Sequence, residues 1–338
     1  MLPVMTFFCE LESQPLETLF TNPQVIPDLK ALNAGVSLGI LDLSPERAGV
    51  VKRLNKAGLP VTAWLLLPKD QGYWFNSTNA PQAARRYADF KAWTAEHDLK
   101  WSAIGLDIEP NINEIMSNME DRSWLAPLMI QRLFDHQNLL RAEMAYASLA
   151  NRIQTDGYLV ESYHIPMIVD ERKAGSTLLK RLAGLVDFHA NREVLMLYSS
   201  FLRPNGDGVI WSYAPQADSI GIGVTGGGVD IEGLNKIPPL TWAELTRDLR
   251  LAYRLKKPVH IFSLEGCVKE GYLTRLRTFD WEGPVAEPVE SFQKVHAVRR
   301  LAQAGLWATA HPLAILAGIC VLGCGFSRLF SRRRKCCR

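Results

Sequence analysis

Gly105-Leu106-Asp107-Ile108-Glu109-Pro110, following the apolar run Trp101-Ser102-Ala103-Ile104, is the stretch on which the fold turns. Alternate residues of a strand share a face, so Asp107 and Glu109 project the same way near its C-terminal end. Two neighbouring carboxylates repel, which favours keeping one protonated near neutral pH. Pro110 biases the chain out of the strand and into a loop.

Outward from this stretch, similar runs recur: Val4–Glu10, Val36–Asp42, Val61–Leu67, Trp101–Ile108, Gly157–Ile165, Val194–Ser199, Ser219–Thr225 and Val259–Leu264. Helical spacing fills the gaps, notably over 82–97, 123–152, 178–185 and 241–255. Ser44-Pro45-Glu46-Arg47 is an N-cap with proline at the first helical position. Residues 208–213 read equally as a short helix or an extra strand. Eight βα units in this length predict a closed (β/α)₈ TIM barrel over 1–283, in the α/β class. An open doubly wound sheet is the alternative. A linker and connecting helix are expected over 284–305, a transmembrane helix over 306–327, and a basic, cysteine-containing tail over 328–338.

The chain has 338 residues, 47% of them hydrophobic, ample for a large core. Six of its cations lie in the last eleven positions, so the formal charge of +3 leaves −3 for the remainder. That mildly acidic body argues against a nucleic-acid surface. No Asp, Glu, Lys or Arg occurs between Arg300 and Arg328, a gap long enough to hold a bilayer-crossing helix, with Trp307 and the basic cluster as interfacial anchors. The side of the membrane holding the barrel is left open: the basic tail favours the cytosol for itself, while the N-terminus has no basic leader segment. Cys336-Cys337 is a weak acylation pattern. Cys9 and Cys267, inside apolar runs, are expected as buried free thiols. The composition sets no oligomeric state.

Chemistry in such a barrel sits at the C-terminal strand ends. Those ends offer Glu10, Asp42, Asp107 with Glu109, Glu161 with His164, Tyr198, Phe262 and Glu265. Tyr73, Trp74 and Phe75, after the third strand, suit stacking on sugar rings or folding back onto the barrel. Gly221–Gly228 contains a GxGxxG match, but no helix opens on it, so a dinucleotide fingerprint is a poor reading. A tight turn, or a phosphate cradle, fits better. The seven histidines show no metal-ligand spacing, and neither metal nor cofactor is expected.

Three segments resemble the glycoside hydrolase family 18, chitinase-like barrels. Asp107-Ile108-Glu109 is similar to the end of that family's DxxDxDxE motif, Met196-Leu197-Tyr198 to its M-x-Y motif, and Ile261–Glu265 to its last strand, where the family has a tryptophan near Phe262. Ser102, Ala103 and Gly105 stand where the family shows Asp, Gly and Asp, and its SxGG turn is replaced by Leu65-Leu66-Leu67-Pro68. The D-x-E pattern also resembles the family 25, lysozyme-like barrels. The resemblance implies Glu109 as general acid, Asp107 raising its pKa and orienting an acetamido group, and Tyr198 binding that group. A substrate without an acetamido requires a second carboxylate, Glu161 or Glu265. Glu10, Asp42, Tyr73, Trp74, Phe75, His164 and Phe262 are then substrate-binding candidates.

The expectation is a membrane-anchored glycoside hydrolase acting on a polysaccharide or amino-sugar glycan. Two alternatives stand beside it: an inactive carbohydrate-binding or scaffolding barrel, and a phosphosugar isomerase or lyase using the glycine-rich loop.

Overall fold

A computed structural model describes residues 3–114, 125–228 and 237–314. Eight parallel strands close a barrel in sequence order, β1 to β8. They are β1 (Met5–Cys9), β2 (Gly35–Ile40), β3 (Val61–Leu65), β4 (Ala103–Ile108), β5 (Leu159–His164), β6 (Arg192–Met196), β7 (Ser219–Gly223) and β8 (Val259–Phe262). Closure is made by β8, whose Val259–Phe262 run pairs with Met5–Phe8 of β1. All eight apolar runs of the sequence are strands, each trimmed at one or both ends, and the open-sheet alternative is excluded.

The helices on the outside are α1 (Ser13–Thr21), α2 (Val25–Ala31), α3 (Pro45–Lys56), α4 (Ala80–Glu96), α5 (Leu125–Phe134), α6 (His136–Thr155), α7 (Met167–Ala174), α8 (Leu178–Ala183), α9 (Gly206–Tyr213), α10 (Trp242–Arg254), α11 (Leu264–Lys269), α12 (Tyr272–Leu276) and α13 (Val289–Ala310). Local signals set their ends. Ser44 Oγ accepts from Arg47 N at the start of α3, and Thr241 with Glu244 closes a capping box on α10. The helix expected over 123–152 is two helices, because Asp135 leaves the helical path and caps α6 by accepting from Asn138 N. Residues 208–213 belong to a helix, α9.

Strand alternation sorts the interior into two sets. Phe7, Cys9, Leu38, Ala63, Leu106, Val160, Leu195, Ile220 and Ile261 face the helices in one continuous core. Phe8, Trp64, Leu66, Tyr163, Val194 and Met196 fill the barrel's inside. Cys9 and Cys267 are buried free thiols.

The connecting helix expected within 284–305 is α13, which starts at Val289 and runs on past 305. α13 packs along α7 and α9. Its Arg299 is 5% exposed and donates to Asp170 of α7 through Nη2 (2.6 Å) and Nε (3.0 Å), with its guanidinium 3.6 Å above the Tyr213 ring. The helix runs on through Leu306–Ala310, the first residues of the expected membrane span, and ends at His311. No helix among the described residues is long and apolar enough to cross a membrane. Most of the expected span and the whole basic tail, residues 315–338, lie outside the described residues.

Candidate active site

At the C-terminal end of the barrel, aromatic side chains and carboxylates gather in one cluster. Asp107, 2% exposed, points inward from β4, where Trp64 Nε1 of β3 donates to its Oδ2 at 3.1 Å. Its Oδ1 is buried and receives no hydrogen bond among the described residues. Burial first, then the Glu109 and Glu10 carboxylates, pushes the Asp107 pKa well above the carboxylate range, and Trp64 partly opposes them. Glu109 shares that face two residues on, half-buried, and desolvation raises its pKa to about 7. The backbone holds this pair firmly: Phe75 N donates to Asp107 O at 2.9 Å, and Glu109 N to Phe75 O at 3.2 Å, so the loop after β3 extends the barrel past Ile108.

Tyr198 follows β6, two strands on from β4. Its ring lies over β7, where a Cβ on Gly221 or Gly223 would stand 3.1 or 3.3 Å from it. Those two glycines of the GxGxxG match therefore make room for a tyrosine. Burial, followed by the charges of Asp107, Glu109 and Glu10, drives the Tyr198 hydroxyl upward, which places all three carboxylates within electrostatic reach of it. Phe262 packs beside it, with ring centroids 5.8 Å apart, and reaches Trp64 at 6.3 Å.

Glu10 and Glu265 lie to one side of the cluster. Tyr73 Oη donates to Glu10 Oε1 at 2.7 Å. Glu265 Oε1 accepts from Gly228 N at 2.9 Å and from Glu10 N at 3.4 Å, tying the loop after β7 to the end of β1. Burial raises the Glu265 pKa. The glycine-rich loop thus faces two carboxylates.

Other expected site residues are not brought to the cluster. Glu161 is the third residue of β5 and sits deep in the lower barrel, bound by Arg192 Nη1 (2.8 Å) and Tyr163 Oη (3.1 Å), with His260 Nε2 3.6 Å away. Burial alone would raise its pKa, but His260, Arg192 and Tyr163 outweigh burial and hold it low. His164 has the opposite parity to Glu161 and Tyr163; it is buried toward the helices beside Phe188, and desolvation lowers its pKa to about 4. Asp42, also of outward parity, serves the turn into α3. It accepts from Arg47 Nη2 (2.9 Å), Ser13 Oγ (2.9 Å) and Ser44 N (3.0 Å), and these bonds overcome desolvation to keep it ionised well below the usual range. In the aromatic loop, Phe75 is fully buried and Tyr73 is 3% exposed, so Trp74 alone of the three is half-open to a ligand.

Trp64 was not singled out by the sequence reading. Its signal is the parity of β3, which puts Thr62, Trp64 and Leu66 on the inner face. Among the described residues no group of His, Cys, Asp and Glu is arranged to hold a metal ion.

No family model matches the chain, and no curated protein matches it. Among solved structures, the glycoside hydrolase domain of PgaB (BpsB) from Bordetella bronchiseptica aligns at a TM-score of 0.46 and 11% identity, covering 82% of this chain and 98% of that one. D-allulose 3-epimerase from Methylomonas sp. aligns at 0.41 and 9% identity, covering 89% and 98%. HMG-CoA lyase from Brucella melitensis aligns at 0.39 and 10%, covering 88% of this chain and 99% of that one. Neighbours of such different chemistry share a barrel outline with this chain and nothing finer.

Proposed function

We propose that this barrel is a glycoside hydrolase acting on a polysaccharide or amino-sugar glycan, with Glu109 as its general acid. One observation carries the reading. Asp107 and Glu109 lie side by side at the C-terminal end of β4, both pushed up by burial, next to Trp64, Tyr198 and Phe262. A carboxyl with a pKa of about 7 is still about half protonated at neutral pH and can deliver its proton to a leaving glycosidic oxygen. The ionised or hydrogen-bonding Asp107 Oδ1 then faces the reacting sugar, where it orients an acetamido group or stabilises positive charge at the anomeric carbon. Tyr198 supplies a hydroxyl, and Trp74 a half-open ring. For a substrate without an acetamido, Glu161 is ill placed to help, and Glu265 is occupied by two backbone N–H groups.

The phosphosugar reading is disfavoured by charge: a phosphate in the glycine-rich loop would meet Glu10 and Glu265, and Gly228 N–H already donates to Glu265. Membrane attachment is proposed separately, on the charge-free stretch up to Arg328 and the basic cluster after it. Reporter fusions at residue 338 and at the N-terminus test it and read out which side holds the barrel.

The functional test is hydrolysis of a panel of chromogenic glycosides and peptidoglycan fragments by the full-length protein in detergent, beside Glu109→Gln. Turnover that survives Glu109→Gln rejects the assignment of the acid. Binding of glycans without turnover favours the carbohydrate-binding barrel instead.

A further inference from the structure

We infer that Trp64 is the positioning residue of the acid pair: its indole N–H fixes Asp107 so that Oδ1 alone meets the substrate and carries any proton the aspartate holds. The inference rests on the hydrolase reading for its consequence, and on geometry for its substance.

An indole N–H can only donate, so the 3.1 Å contact assigns Asp107 Oδ2 as an acceptor in both protonation states. Oδ1 is the remaining oxygen, buried and without a hydrogen-bond partner among the described residues. A carboxyl left with one oxygen committed and the other bare has its reactive lone pairs and its proton on the bare one. The indole itself has little freedom. Its Cα partners in the sheet are Gly39 on β2 and Gly105 on β4, which leave the inner surface beside it without side chains. A Cβ on Gly39 would stand 3.6 Å from the Trp64 ring. Phe8 and Tyr163 meet the indole edge-on, with centroids at 5.2 and 6.2 Å, and Phe262 at 6.3 Å. Tyr163 in turn occupies the space over Gly105, its hydroxyl 2.8 Å from Ser37 Oγ. An aspartate at 105 would therefore clash with Tyr163, and the support that Asp107 receives comes from a neutral donor on the adjacent strand.

The consequence is a particular distribution of one proton over two carboxyls. The Trp64 donor opposes the burial and the Glu109 and Glu10 charges that push Asp107 up, and so biases the shared proton toward Glu109. Removing the donor shifts that proton toward Asp107.

The test uses Trp64→Phe, which keeps an aromatic ring and deletes the N–H, with Asp107→Asn as the second variant. Two-dimensional NMR of ¹⁵N-labelled full-length protein identifies the Trp64 indole N–H as the resonance lost in Trp64→Phe. It is expected to shift with pH as the carboxyl pair titrates, and to lose that pH dependence in Asp107→Asn. On any glycoside that the wild type cleaves, Trp64→Phe is expected to lower kcat by about tenfold to a hundredfold, move KM by less than about threefold, and raise the acidic limb of the pH profile by about one unit. A pH-invariant indole resonance overturns the inference. So does an unshifted pH profile in Trp64→Phe while Glu109→Gln is inactive, an outcome that leaves the hydrolase reading standing. If no glycoside is cleaved, the hydrolase reading fails and the NMR titration alone decides whether Trp64 pins Asp107.

Discussion

The upper and lower halves of the barrel interior treat the same functional group in opposite ways. In the lower half, Glu161 is bound by Arg192 and Tyr163 and held below the usual carboxylate range. In the upper half, burial pushes up both Asp107 and Glu109, and at Asp107 the Glu109 and Glu10 charges add to it. A satisfied buried charge contributes to the fold; an unsatisfied one is a reservoir of reactivity. The contrast separates a structural carboxylate from candidate catalytic ones more sharply than either sequence position or burial does.

Breaking the upper half should have the largest effect. Glu109→Gln is expected to lower kcat by about a hundredfold to ten-thousandfold with the fold intact, measured by steady-state hydrolysis and circular dichroism. The lower half should respond in stability. Glu161→Leu strands Arg192 and is expected to cost about 3 kcal/mol, the low end for a broken buried pair because Arg192 reaches water. Urea midpoints measure the cost, and kcat per folded molecule should stay within about twofold of wild type.

The two halves also titrate in opposite directions. Folded Glu109 holds its proton up to about pH 7, where the unfolded chain has released it. It therefore costs stability progressively as pH rises from the ordinary glutamate range through 7. Glu161, held low, contributes stability above the ordinary range that is lost on acidification. Urea midpoints should accordingly fall less between pH 5 and 8 in Glu109→Gln than in wild type. Activity should decline about tenfold per pH unit above about 7, checked by the pH dependence of kcat. The smallest effect is expected at the rim: Trp74→Ala should raise KM by about threefold to tenfold and leave kcat nearly unchanged, measured on the best substrate of the panel.

Much of the barrel was legible because eight apolar runs separated by capped helices admit few arrangements. The acid pair was legible because alternation and Pro110 fix its face and its end of the strand. Depth along the strand was harder to read. Glu161 and His164 were grouped by nearness in sequence, yet β5 begins at Leu159, so Glu161 lies in the lower barrel and His164 on the other face. Asp42 has an outward parity and an Arg47 partner that strand-end position alone does not reveal. Trp64 belongs to no motif in the sequence, and its contact with Asp107 is visible only once β3 and β4 are side by side. Phe75 reads in the sequence either as a sugar platform or as a fold back onto the barrel, and its burial and its bridge to Ile108 give the second.

The Arg299–Asp170 contact changes what the C-terminal segment means mechanically. A flexible tether would let the barrel tumble and swing its mouth in any direction about its point of attachment. Here force applied beyond His311 is transmitted through α13 into a buried ion pair and the Tyr213 ring. α13 is thereby fixed to the barrel, as by a bracket, up to its end at His311.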